Sequence, residues 1–406
     1  MTMTRVTALL IGLALLLAAC GTTENPSPVS VTVPAEERVV PTLPPAPAWV
    51  EPAEVLTLDN IAQARQLGRL DPQGTVSTVF AHDFSSDSTQ LVGLNNESLL
   101  VWDLITGIRL VNVPRQEAVT VYASSDKTEI YTIGSDGLVL IYDAARGTVR
   151  SSVQGSTQYT NVSAYDDNSD LLAMGGLNGE VKVWDMFERQ SLVALAGEGE
   201  NRALAFSADG ELLATGGLQG TVQVWNWRER QPIASFELEG DEYAVRLSFS
   251  PDGSQVAVGG LSAVFIYDLA TQTLLHTLQT GEGSASDVFM YSPDGRYLVN
   301  GGVIPDMLVW NPTEGTLVAQ LPGVGGDRIS AAFSPDGTML ITSRLDGAVS
   351  LWNLENATDT TIPRADFDVG GARILYVNWT ADGFLMLFFD ALGPVYAWGV
   401  APGGEG

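Results

Sequence analysis

Cysteine is nearly absent. Cys20 is the only one in 406 residues, so no disulfide can form within the chain and packing must hold its fold. Lysine and histidine are almost as scarce, at two each: Lys127 and Lys182, His82 and His276. These lysines and eighteen arginines stand against 48 acidic residues, for a net charge of −28. A field of that sign disfavours nucleic acid, and neither nucleic acid nor anionic lipid headgroups are expected as partners. The acidic bias also fits salt adaptation or compositional drift. With one Cys, and no His near a Ser and Asp, acyl-transfer arrangements lack parts, and no cofactor or metal is expected. The apolar stretch at residues 6–19 is too short for a bilayer span, which takes about 20 residues.

What the chain has in abundance is repetition. A bulky aromatic closes a short apolar run eight times, at Trp102, Tyr142, Trp184, Trp225, Tyr267, Trp310, Trp352 and Trp398, usually followed by Asp or Asn. The steps between them are 40, 42, 41, 42, 43, 42 and 46 residues, a period that marks a repeat array. In phase runs a second motif, an aromatic followed by Ser-Pro-Asp-Gly or a near copy, clearest at Phe206, Phe249, Tyr291, Phe333 and Trp379. Each lies 18 or 19 residues ahead of the next closing aromatic. Pro presets the turn and Gly accepts its positive φ, so the motif joins two antiparallel strands. Between turn and aromatic fit an apolar strand, a Gly-containing break and an alternating strand such as residues 221–225, and a fourth strand such as residues 316–321 leads onward. Four short antiparallel strands per repeat describe a propeller blade.

These motifs resemble the WD-repeat β-propeller family over residues 61–400. The expected fold is all-β, a single propeller of eight four-stranded blades, with seven as the alternative. The resemblance is incomplete: the Gly-His dipeptide that opens the family's repeats is replaced by Gln154-Gly155, Glu239-Gly240 and Pro322-Gly323. The family's Asp-His-Ser/Thr-Trp hydrogen-bond network is therefore not expected. Only eight residues follow Trp398, too few for an outer strand, whereas residues 62–70 stand ahead of the first repeat as an orphan strand. Pairing the two would close the ring and leave no free sheet edge.

Ahead of the propeller the composition changes. Arg5, the apolar residues 6–19 and Leu17-Ala18-Ala19-Cys20 resemble a bacterial lipoprotein signal, in which cleavage before Cys leaves Cys20 to carry acyl chains. The mature chain would then hold 19 basic and 48 acidic residues, a net −29. Eight of the 32 residues from 21 to 52 are Pro, which predicts an extended, semi-rigid spacer. The expected organisation is residues 1–19 as signal, 20–60 as lipidated Cys and tether, and 61–406 as propeller. The expected place is the cell envelope, extracytoplasmic and held to a membrane by lipid.

Candidate sites are few. His82 lies two residues before Phe84 on one strand face and reads as a hydrogen-bonded interior residue. The run Asp166-Asp167-Asn168-Ser169-Asp170 opens like a calcium loop but lacks Gly at the sixth position and Glu at the twelfth. Trp227, beside Arg228 and Arg230, occupies a place held by Leu or Met in other repeats, which favours a structural contact. The Gly-Gly pairs at 175–176, 216–217, 259–260 and 301–302 follow strands without opening helices and are not phosphate loops. The loops between successive blades carry Glu198, Glu200, Glu237, Glu239, Asp241 and Glu242, then Glu282 and Asp287. All lie on one rim, where an acidic crescent would attract a basic protein or peptide partner. The reading is a non-catalytic protein-protein interaction platform. The alternatives are a propeller enzyme, of lactonase type, whose ring of acids, amides and His this His-poor chain supplies weakly, or of glycosidase type, whose turns keep one residue between the Asp and Gly that are adjacent here, and an envelope-assembly lipoprotein of the quinone-type propeller kind, whose Trp beyond Gly107 is missing.

Overall fold

The computed structural model describes residues 49–57, 59–70, 78–115, 117–156, 159–197, 199–281, 288–302, 306–322, 330–344, 346–355, 364–367, 369 and 372–402. Each repeat becomes one antiparallel sheet of four strands, and the eight sheets form the blades of a β-propeller. Blade 4 shows the plan: inner strand Asn201–Phe206, second strand Leu212–Gly217, third strand Thr221–Asn226 and outer strand Gln231–Glu237. Eight apolar clusters, one in each seam between neighbouring blades, make up the core. Leu213 and Trp225 of blade 4 pack on Val181, Val183 and Val193 of blade 3. The opposite face, with Ala214, Val222 and Val224, packs on blade 5. Strand alternation thus gives every blade two buried faces.

The ring closes as the orphan strand required. Arg65–Leu70 pairs antiparallel with Val395–Gly399, from Arg65 opposite Gly399 to Leu70 opposite Val395, and serves as the outer strand of blade 8. Leu67 and Leu70 are fully buried there. Seven blades are excluded.

The two repeated motifs prove to be turn chemistry. In the turn after the inner strand, the hydroxyls of Ser207, Ser250, Ser292 and Ser334 donate to the Asp two residues on at 2.6 Å. The same Ser oxygens accept the N–H of Leu212, Gln255, Tyr297 and Met339 at 2.9 Å. The Ser bond holds Asp209 and Asp252 below the usual carboxylate range. The following glycines, Gly210, Gly253, Gly295 and Gly337, take φ of 67 to 75°. The Asp or Asn after each aromatic caps the turn between third and outer strands. Asp103 accepts from the N–H groups of Ile105 (2.9 Å) and Thr106 (2.7 Å), and Asp268 from that of Thr271 (2.7 Å).

Two expectations need correction. The Ser/Thr-Trp part of the family's network does exist: the indole N–H donates to Thr215 from Trp225 (3.2 Å), to Thr342 from Trp352 (2.9 Å), and to Asn300 from Trp310 (2.7 Å). Among the Trp-closed blades it forms where the second strand holds Thr or Asn at the facing position. Where that position is Gly93 or Phe388, the indoles of Trp102 and Trp398 find no acceptor among the described residues. The second correction concerns the boundary of the tether. Residues 49–57, assigned to it by composition, pack on the closing blade. Val50 and Ala53 donate backbone N–H groups to Leu67 and Val400 at 2.9 and 2.8 Å, Leu56 is buried, and the Trp49 indole donates to the Ile105 carbonyl at 2.7 Å. That ring lies against Gly68 of blade 8 and Gly107 of blade 1, where any Cβ would collide with it. Trp49 therefore straddles the closure seam.

Candidate functional site

The rim that carries the loops between blades is built by the ends of outer strands and the starts of inner ones. Of the acids expected there, Glu198, Glu282 and Asp287 lie outside the described residues. The structure divides the others into two groups. Glu200 is half-buried, accepting from the Asn161 amide at 3.1 Å and pairing with the Arg202 Nε at 2.8 Å. Glu242 turns inward and caps the turn between the second and third strands of blade 5. It accepts the backbone N–H groups of Leu261 and Ser262 and the Ser262 hydroxyl, close against Gly260. Its carboxylate ties the inter-blade loop to that turn. Glu237, Glu239 and Asp241 are exposed, and no described residue forms an ion pair with them. Glu237, at the end of the blade 4 outer strand, accepts the Thr221 hydroxyl at 3.1 Å on both carboxylate oxygens.

Glu237 also stands at a crevice between blades 3 and 4. Its wall is Gly197, Asn201, Thr215, Gly216, Gly217, Thr221, Gln223, Ser235 and Glu237, around about 190 Å³ of open volume. Thr215, Gln223 and Ser235 are paired across three neighbouring strands and face blade 3, on the side that buries Leu213 and Trp225 nearer the opposite rim. Asn201 and Thr215 are buried, whereas the Gln223 amide and Ser235 hydroxyl make no hydrogen bond with any described residue. One position sets this seam apart from most of its sisters. Two residues before the closing aromatic, the other blades hold Leu100, Leu140, Lys182, Phe265, Leu308, Ser350 and Tyr396. Five of these are large apolar groups that fill their seams, and Ser350 donates to Asp366 at 2.7 Å. Gln223 does neither. The sequence reading missed Asn201, Thr215, Gln223 and Ser235; the signal available was that Gln223 breaks a mostly apolar column of the repeat.

The remaining candidates are structural. Trp227 is buried, its indole N–H donating to the Gly210 carbonyl at 2.9 Å, with the Arg228 guanidinium 4.4 Å from its ring centroid. Asp170 of the calcium-like run accepts from the Ser125 N–H and hydroxyl of blade 2 and from the Tyr165 hydroxyl, and among the described residues no group of three or more acids, His or Cys is placed to hold a metal. His82 stacks on Phe389 at 4.2 Å and lies within 3.5 Å of the Asn378 amide; burial pushes it down to about 4, so it is neutral at physiological pH. His276 meets the Thr313 carbonyl at 3.0 Å, on the fifth blade. The two histidines share no site. At Gly217 a Cβ would collide with the Glu200 carbonyl, which explains one Gly-Gly pair as close backbone approach rather than phosphate binding.

Residues 315–353 match the family described as WD domain, G-beta repeat, and residues 80–239 match the N-terminal β-propeller domain of the family described as Nucleolar protein 10-like. Both matches support a WD-repeat propeller family, whose members typically serve as protein-interaction scaffolds. No curated protein matches the chain in sequence. Among solved structures, the computationally designed Ika8 protein is similar at 21% identity and a TM-score of 0.65, over 80% of this chain and 98% of that one. At that identity the likeness shows the fold alone.

Proposed function

We propose that the chain is a non-catalytic protein-interaction platform, anchored by lipid on Cys20 to the extracytoplasmic side of a bacterial membrane, whose acidic rim receives a basic protein or peptide partner. The observation that carries it is the trio Glu237, Glu239 and Asp241, exposed and without ion-pair partners among the described residues, beside a crevice lined with unengaged polar groups. The two family matches support the scaffold part of this reading. The lipid part rests on Leu17-Ala18-Ala19-Cys20 and its apolar approach. Two acyl chains give stable attachment where one is marginal.

Two measurements test the proposal. Cys20→Ala should leave the precursor uncleaved at this site and without lipid; a variant that still incorporates radiolabelled fatty acid refutes the anchor. For the rim, Glu237→Gln, Glu239→Gln and Asp241→Asn together should slow association with a basic partner and flatten its salt dependence, because exposed charges act mainly on encounter over a Debye length of about 8 Å. The melting temperature should not move, since none of the three forms an ion pair with a described residue. Adding Glu242→Gln should lower it, because that carboxylate holds a turn. An association rate that is indifferent to the triple change at low salt disproves the rim as the capture surface.

A further inference from the structure

Four features of the crevice between blades 3 and 4 point to an occupant. It is polar where most sister seams are packed with Leu, Phe or Tyr, so its openness is a local departure and not a property of the repeat. Its hydrogen-bonding capacity is unspent. Gln223 and Ser235 bond to no described residue, and Thr215 accepts from Trp225 while its own hydroxyl proton stays available to another acceptor. Its volume of about 190 Å³ falls below the roughly 300–1,000 Å³ of sites for drug-sized ligands, which suits one side chain. The charge at its edge is negative: Glu237 is part of the wall, and Glu239 and Asp241 follow in the adjoining loop. Carboxylate, amide and hydroxyl oxygens around a slot of this size are acceptors for an ammonium or guanidinium.

We propose that this crevice receives a single lysine or arginine side chain of the partner, its cation held by the Glu237 carboxylate and the oxygens of Gln223 and Ser235. The proposal rests on the rim's being a surface for a basic partner, and it adds where one residue of that partner enters. The division of labour is then physical. Glu239 and Asp241 sit outside the crevice and act at long range on approach, whereas Glu237, Gln223 and Ser235 hold one group after contact and act on residence time.

The test uses the full chain in detergent and an octalysine peptide, followed by stopped-flow and titration at low and physiological salt. Gln223→Leu restores the apolar residue of the sister blades, closes the crevice and leaves every charge in place. It should fold, melt no lower than the parent, and bind octalysine roughly tenfold more weakly through faster dissociation, with the low-salt association rate unchanged. Glu237→Gln, an exposed change that does not threaten folding, should weaken binding to a similar degree. Glu239→Gln with Asp241→Asn should instead slow association and leave dissociation near that of the parent. If octalysine binds the parent, Gln223→Leu and Glu237→Gln chains with equal dissociation rates, the crevice proposal is overturned and the rim reading survives. If octalysine fails to bind the parent chain even at low salt, the rim reading itself falls, and the crevice proposal falls with it.

Discussion

A chain lacking residues 61–70 should melt on the order of 10 °C below the parent and aggregate on heating, whereas one lacking residues 21–48 should melt as the parent does. The first deletion removes the strand Arg65–Leu70, the outer strand of blade 8. Leu67 and Leu70 are each 0% exposed, and burying a leucine contributes roughly 1.5–3 kcal/mol, so their loss alone takes a large part of a stability of about 5–15 kcal/mol. It also bares the unpaired edge of Val395–Gly399, a template for pairing with another chain. The same cut removes the Leu67 carbonyl that Val50 bonds and the Gly68 surface under Trp49, so the strap across the seam is released as well. The second cut stops short of Trp49 deliberately. Extended to residue 55, it would remove Trp49, Val50 and Ala53 with their bonds to Ile105, Leu67 and Val400, and should destabilise measurably. Calorimetry of the three truncations decides the matter. Equal melting of the 61–70 and 21–48 deletions would disprove the closure as the source of stability.

The propeller was legible because its signals are local and recur. A Ser two residues before an Asp and an Asp or Asn after a closing aromatic are each completed within a few residues, as the Ser207–Asp209 and Asp103–Thr106 bonds show, so spacing alone reveals them. Ring closure was legible by elimination, since the last repeat lacked a strand and one stood spare at the other end. The strap was hidden. Trp49 sits among prolines, and its acceptor, Ile105, is 56 residues away, so composition spoke for a tether while distant partners, Ile105 for Trp49 and Val400 for Ala53 among them, decided otherwise. Counting carboxylates on the rim failed for a related reason. Sequence places Glu242 and Asp241 side by side, but only the fold shows that one turns back to cap Leu261 and Ser262 while the other faces solvent. The crevice was half legible: the column of Leu, Phe and Tyr broken by Gln223 is a sequence fact, and the missing volume beside it comes from Gly216, Gly217 and the neighbouring blade.

Replacing His82 with Phe should change how stability responds to acid, with an effect on the order of 3 kcal/mol between pH 6.5 and 4. Burial lowers His82 from 6.5 to about 4, a difference worth about that much at about 1.4 kcal/mol per pH unit. The imidazole is neutral in the folded chain, where it stacks on Phe389 with Tyr376 and Phe84 at its edges. As pH falls through 6.5, the unfolded chain binds a proton that the folded one refuses, so this residue's contribution is full above pH 6.5 and is lost progressively down to about 4. Its neighbour Asp83 runs the other way. Burial raises that carboxyl from 3.8 to about 6, so the folded chain takes a proton first, and acidification from pH 6 to 3.8 removes a cost. The two offset each other between pH 4 and 6. In the His82→Phe chain the ring contacts remain and the histidine's share disappears. Its denaturant midpoint should therefore hold up better than the parent's on going from pH 7 to pH 4.5, and the gap between the curves should widen steadily below pH 6.5. Carboxylates held low in the turns, such as Asp209 and Asp252, lose their bonds on acidification in both chains, so they cancel in the comparison. Parallel curves would mean that His82 is protonated in the folded state, and that water or a nearby acid reaches the inner end of blade 1.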